Sequence, residues 1–260
     1  MKEAKKSLGQ NFLIDKNIVN KILGLTKVKG RNVVEIGPGR GALTDEIIKK
    51  KPKTLLIIEK DNLLFNLLIN KYSKFKNIKV VNADILKFDL EKKMKSSSVI
   101  LGNLPYNISS QILVKLIKFE TWPPKFSNLI LMFQKELGEK IIGKFPSSHY
   151  GRLSIISNYR LDNIEKFIVS ENCFFPRPKV KSMVIHFKPK KNTYKISNIS
   201  NLEKITNYLF SKKRKMINKS IIKILSKDEI KQIPELKTSL RPSDISPSMY
   251  YKITQVFEES

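Results

Sequence analysis

The sequence predicts an α/β fold, a mostly parallel sheet with helices on both faces, followed by a small helical domain. Three observations carry that expectation. Short β-rich runs alternate with helical periodicity through the first two-thirds of the 260 residues, and several of those runs are apolar almost throughout, as strands covered on both faces are. After Phe187 the strand-like runs stop and the chain becomes lysine-rich and helical in pattern.

The first strand is Asn32 to Ile36, and the helix after it spans Ala42 to Lys50. Thr54 to Glu59 and Asp61 to Tyr72 form the second strand–helix pair. Ile78 to Val81 is a third strand. Ser98 to Leu101 precedes a helix over Ser109 to Lys118, and Asn128 to Phe133 precedes one over Lys135 to Gly143. Such alternation implies a doubly wound parallel sheet. Ile164 to Val169 and Lys181 to Lys188 read as an antiparallel edge hairpin. Lys188-Pro189-Lys190-Lys191-Asn192 is a polar linker, which sets the expected domains at 1–188 and 194–260. In the second, Leu209, Lys213, Ile217, Ile221 and Leu225 fall on one face of an expected helix crossed by the basic run Lys212, Lys213, Arg214 and Lys215. The competing explanation of that run is an ordinary solvated helix surface.

The composition narrows the function. The chain carries 50 Lys+Arg against 23 Asp+Glu, a formal net charge of +27, which suits a polyanionic partner. Lysine supplies 43 of those cations and arginine only seven, a bias that AT-rich coding also produces. Cys173 is the single cysteine, so no intramolecular disulfide can form. Two histidines and one cysteine are too few soft ligands for a zinc site, so no metal is expected. The basic, polar start has no signal-peptide core. The longest uncharged run, Ser96 to Val114, contains Gly102, Asn103, Pro105, Asn107 and Gln111, which a membrane helix would have to bury unpaired. A cytoplasmic protein, monomeric and away from membranes, is the expectation.

Two loops carry chemistry. Glu35-Ile36-Gly37-Pro38-Gly39-Arg40-Gly41 follows the first strand, and its glycines let the backbone turn sharply and a ligand come close. The spacing is not that of dinucleotide folds, and an acidic residue precedes it, which disfavours a pyrophosphate and suits a ligand with an amino-acid end. Glu59, closing the second strand, can accept both hydroxyls of a ribose, and Asp84, after the third, an adenine amine. With Gly37 and Gly39 these groups describe a site for S-adenosylmethionine (SAM).

Asn103-Leu104-Pro105-Tyr106 follows the fourth strand. An adenine N6 amine is a poor nucleophile because its lone pair is delocalised into the ring. Two acceptors aimed at its hydrogens, the Asn103 side-chain oxygen and the Leu104 carbonyl, draw the nitrogen towards tetrahedral geometry. Pro105 fixes the backbone and Tyr106 offers a face for a base out of its stack. Phe174 can close the other face; a core aromatic at a hairpin corner is the alternative. The competing explanation of Asn103 is a capped turn before the Ser109 helix.

The chain resembles the ribosomal RNA adenine N6,N6-dimethyltransferase family, the small-subunit dimethyladenosine transferases of the kasugamycin-resistance type. The matching blocks are Leu8 to Leu13, Val34 to Thr44, Gly102 to Ser109, Phe133 to Glu136, Tyr150 to Ser154 and Phe174 to Ser182, with Phe210 to Ser220 and Arg241 to Ser246 in the tail. The resemblance implies a Rossmann-like class I SAM-dependent methyltransferase domain with a small helical C-terminal domain. It also implies dimethylation of two adjacent adenosines in the 3′-terminal hairpin of small-subunit (16S-type) rRNA within the immature small ribosomal subunit, during ribosome biogenesis. Asn11 and Leu13 join the cofactor contacts by the same resemblance, against a capped N-terminal helix as the alternative. Lys212 to Lys215 resemble an RNA-facing helix. Two residues depart from the family pattern: Lys181 stands where Asp is usual, and Arg40 where Leu or a similar residue is usual. The alternatives are an erythromycin-resistance-type methyltransferase of large-subunit rRNA, or an assembly or transcription factor with a vestigial methyltransferase fold. The DNA adenine methyltransferases are further away, since their Asp-Pro-Pro-Tyr is absent.

Overall fold

The computed structural model describes residues 10–191 and 194–260. Leu8 and Gly9 of the N-terminal block, and Asn192 of the linker, lie outside those residues. The elements run β1 (Phe12–Leu13), α1 (Lys16–Gly24), β2 (Asn32–Ile36), α2 (Ala42–Lys49), β3 (Thr54–Glu59), α3 (Asn62–Tyr72), β4 (Ile78–Asn82), α4 (Leu90–Lys93), β5 (Ser98–Asn103), α5 (Ser109–Ile117), β6 (Phe126–Gln134), α6 (Lys135–Ile141), α7 (Arg152–Arg160), β7 (Leu161–Val169), β8 (Phe174–Phe175), β9 (Ser182–Pro189), α8 (Ile199–Phe210), α9 (Asn218–Ile221), α10 (Lys227–Lys231) and α11 (Pro247–Glu259).

Two compact units result, residues 1–138 with 162–189 and residues 139–161 with 190–260. The first holds a seven-stranded sheet in the order β4-β3-β2-β5-β6-β9-β7 and a two-stranded sheet of β1 and β8. Strands β2 to β6 pair in parallel, and β9 joins β6 antiparallel. The expected mostly parallel sheet with an antiparallel edge is therefore present. The buried pattern of β5 explains its central place: Val99, Ile100 and Leu101 are all fully buried, on both faces of the strand. On one face Val33, Leu55, Ile57, Val99 and Leu101 pack with Val19, Ile22, Ile47 and Leu68 from the helices.

Strand order reverses at β2. The chain leaves β2 towards β3 and β4, then returns to place β5 on the other side. Loops at the C-terminal ends of β2 and β5 thus face one crevice, the usual ligand position of an open α/β sheet. Helix ends are settled by side chains: the Asp15 carboxylate accepts from the Asn17 and Ile18 amides, and Asp61 from Leu63 and Leu64. Helix α5 begins after Ile108 with no side-chain cap, so Asn103 is not a capping residue. Likewise the N-terminal block is a strand at Phe12–Leu13, with Asp15 rather than Asn11 capping α1.

The second unit is helical and buries several tyrosines whose hydroxyls close on backbone carbonyls: Tyr150 on Ile245 at 2.8 Å, Tyr250 on Pro242 at 2.8 Å, Tyr159 on Tyr194 at 2.8 Å. Residues 139–161, assigned from the sequence to the catalytic domain, pack within this unit. The expected continuous helix through Lys213 is absent. Helix α8 stops at Phe210, and 211–216 form a turn in which Lys212 and Lys215 donate to carbonyls three residues back. Leu209, Ile217, Ile221 and Leu225 are buried as expected. An uninterrupted helix would carry Lys213 onto that buried face, whereas the turn leaves all four cations exposed. Among the described residues no helix is long and apolar enough to cross a membrane.

Candidate active site

One cavity collects the ends of β2, β3, β4 and β5 together with β1. In the glycine loop after β2, Gly39 and Gly41 have no room for a side chain. Gly39 has φ +60, and a Cβ there would lie 2.8 Å from Cδ1 of Phe12. Gly41 has φ +88, and a Cβ would meet the Tyr72 hydroxyl. The Phe12 ring therefore rests on the loop, and the Arg40 guanidinium sits 4.7 Å from its centroid.

Three acids line or border the cavity in different states. Glu59 is 7% exposed, and its carboxylate accepts from the Asp61 amide at 2.8 Å and from the Gly39 and Lys60 amides. Burial still raises its pKa. Asp84 goes the other way. The Lys60 ammonium bonds its Oδ2 at 2.9 Å and the Leu86 amide its Oδ1 at 2.9 Å, which lowers its pKa. Glu35 is 1% exposed, takes a 2.6 Å bond from the Thr44 hydroxyl, and is pushed up to about 8 by burial.

The Asn103 side chain is held from behind. Its Nδ2 donates to the Asn11 carbonyl at 3.0 Å, leaving Oδ1 as the free acceptor on the cavity wall. Tyr106 is half-buried, and its hydroxyl and that of Ser182 lie 2.6 Å apart. A rigid amide acceptor, a backbone held by Pro105 and a fixed aromatic ring thus stand side by side, beside a glycine loop and a buried acid.

A family model described as ribosomal RNA adenine dimethylase matches residues 1–258. A ribosomal RNA small subunit methyltransferase A from Pelagibacter ubique is 43% identical over 99% of this chain and 98% of its own length. The protein of the same name from Malacoplasma penetrans is 36% identical over 96% and 90%. The chain belongs to the ribosomal RNA adenine dimethylase family. Among solved structures, a dimethyladenosine transferase from Plasmodium falciparum superposes with a TM-score of 0.76 at 24% identity, covering 95% of this chain and 98% of that one. The 23S rRNA methyltransferase ErmE superposes with a TM-score of 0.69 at 22% identity, covering 95% and 100%, and shares the fold.

This dimethylase is an rRNA adenine methyltransferase with SAM as methyl donor. Its cavity fits that donor: the positive-φ glycines Gly37 and Gly39 form one wall, and the carboxylates Glu59 and Asp84 stand at two strand ends. Asn11, Leu13, Gly37, Gly39, Glu59, Asp84, Asn103, Leu104, Pro105 and Tyr106 all line it. Phe174 does not. It is 3% exposed in the hydrophobic core, opposite Leu13 in the small sheet, because the face of β8 that carries it is the inward one. In this structure Phe174 packs in the core rather than on the cavity wall. Lys212 to Lys215 belong to the second unit. The sequence left Phe12, Arg40 and Glu35 without site roles. Glu35 had a usable signal, an acid one residue before a glycine turn; the Phe12–Arg40 stack had none, because it depends on β1 lying over a distant loop.

Proposed function

We propose that this dimethylase converts two adjacent adenosines in the 3′-terminal hairpin of small-subunit rRNA to N6,N6-dimethyladenosine, acting on the immature small subunit in the cytoplasm during ribosome biogenesis. The observation that carries the chemistry is Asn103, whose amide is turned by the Asn11 carbonyl so that its oxygen accepts. The small-subunit choice rests on the relatives that bear that name over nearly the whole chain.

When bound, SAM supplies a methyl group on a positively charged sulfur. Gly37 and Gly39 give its amino-acid end room, Glu59 accepts from the ribose hydroxyls, Asp84 from the adenine amine, and Asn11 and Leu13 cover it. Asn103 Oδ1 and the Leu104 carbonyl accept from the two N6 hydrogens of the target base, freeing the nitrogen lone pair for in-line attack. Tyr106 stacks on the base, and Pro105 keeps the acceptors in place. Once methylated, the nitrogen would give its proton to solvent. No strong base is required, and Asn103 is not one. The unit of 139–161 and 190–260 docks on the subunit as a monomer's second arm, with Lys212, Lys213, Arg214 and Lys215 against phosphate.

The test is incubation with methyl-labelled SAM and undermodified small subunits, large subunits or naked rRNA, followed by nucleoside mapping. Dimethyladenosine in the small-subunit 3′ hairpin is the expected result. Label in the large subunit replaces the substrate, and bound SAM and subunits without label replaces the activity with an assembly role.

A further inference from the structure

The small sheet has two unlike faces. Leu13 and Phe174, opposite one another, are 5% and 3% exposed, whereas Phe12 and Phe175, the other opposed pair, lie on the opposite face. Phe12 lines the cavity, and Phe175 beside it is 49% exposed. From Phe175 the chain runs through Arg177, Lys179, Val180 and Lys181, all exposed, to Ser182, whose hydroxyl meets that of Tyr106. The Lys181 carbonyl is fixed by the Lys135 amide at 2.9 Å. Both ends of this segment are therefore tied to walls of the active site, one through Phe12 and one through Tyr106.

Its chemistry is that of a nucleic-acid track. Three cations stand against the single acid Glu171, and the Arg177–Glu171 bond at 2.9 Å neutralises one of them. Lys179 and Lys181 are left as exposed positive charges next to an exposed aromatic face and an exposed Val180. A protein partner would want the apolar patch without the cations, and a phosphate alone would want the cations without the ring. A single strand of RNA wants both: bases stack on aromatic side chains while ammonium groups meet the backbone.

We infer that Phe175 to Lys181 carries the RNA strand flanking the target adenosine, with Phe175 stacked on a neighbouring base and Lys179 and Lys181 on adjoining phosphates. This rests on the functional reading above, because the occupant is set by continuity with a site that takes an adenine. Phe175 then does for the flanking nucleotide what Tyr106 does for the target.

Steady-state methylation of undermodified small subunits tests it, run on full-length wild type, Phe175→Ala, Phe175→Trp and Lys181→Asp, with SAM affinity measured by calorimetry. Phe175→Ala should raise KM for the subunit about tenfold with kcat within about twofold and SAM affinity unchanged, and Phe175→Trp should restore it. Lys181→Asp should flatten the log–log salt dependence of KM by about one unit. An unchanged KM in Phe175→Ala alongside active wild type overturns the inference, as does a loss of SAM affinity, which would make Phe175 a prop for β1. Wild type that labels only large subunits moves the same comparison to that RNA. Wild type that labels no RNA overturns the functional reading itself, and with it this occupant.

Discussion

Asn103 donates its side-chain amide to the main-chain carbonyl of Asn11, so the acceptor proposed for the target amine is oriented by the segment proposed to cover the cofactor. Asn103→Asp places a carboxylate oxygen against that carbonyl and should lose both the bond and the orientation. Single-turnover methylation should fall by about 10²-fold or more, while SAM affinity changes far less. Comparable losses in both would show that Asn103 serves the cofactor first.

The Phe12–Arg40 stack closes β1 onto the glycine loop. A cation–π contact at a half-exposed site contributes about 0.5–1 kcal/mol. Arg40→Leu should therefore weaken SAM binding by about two- to fivefold, read by calorimetry, with the maximum rate on saturating cofactor preserved. Phe12→Ala, which removes the ring itself, should cost more. Equal affinity in all three proteins would mean that the stack is ornamental.

Gly39→Ala has no such latitude. It combines a left-handed backbone with a Cβ 2.8 Å from the Phe12 ring. SAM affinity should drop at least tenfold with the fold retained, as judged by circular dichroism.

Glu35 makes stability depend on pH. Its pKa is about 8 in the folded chain against an ordinary value of 4.5, because burial penalises the charge. Below 4.5 the group is neutral in both states and costs nothing. Between 4.5 and about 8 the unfolded chain ionises while the folded one holds its proton, so folding loses free energy as pH rises, by up to several kcal/mol. Thermal melts of wild type minus Glu35→Gln should show this decline between pH 5 and 8 and level off above. A pH-independent difference would show that Glu35 ionises freely in the folded protein.

The basic turn should report on RNA docking. Replacing Lys212, Lys213, Arg214 and Lys215 by alanine should weaken binding to unmethylated rRNA at low salt, and reduce the log–log salt slope by about one unit for each phosphate contact removed. An unaltered slope would place docking elsewhere.

The parallel sheet was legible because β2, β3 and β5 are largely apolar on both faces, a pattern that solvent-facing strands do not show. The cavity was legible for the same topological reason: Gly37, Glu59, Asp84 and Asn103 each end a parallel strand or follow one directly, and such ends converge. What failed to show were placements set by contacts between distant segments. Phe174 and Phe175 are chemically equal in a sequence, and only pairing with β1 decides which of them is buried. Lys213 followed a helical period that the chain abandons to keep its charge in water. Arg40 acquires its partner only once Phe12 is folded back over the loop.

That β1 pairs with β8 has a consequence for biosynthesis. Phe12 leaves the ribosome ahead of the parallel sheet, yet its partner strand is made only after the whole of that sheet has been translated. A nascent chain can assemble the glycine loop and the Asn-Leu-Pro-Tyr turn and still lack the covering strand and the orienting carbonyl of Asn11. Competence for methyl transfer therefore arrives with synthesis of β8, so fragments released before that point should be catalytically silent.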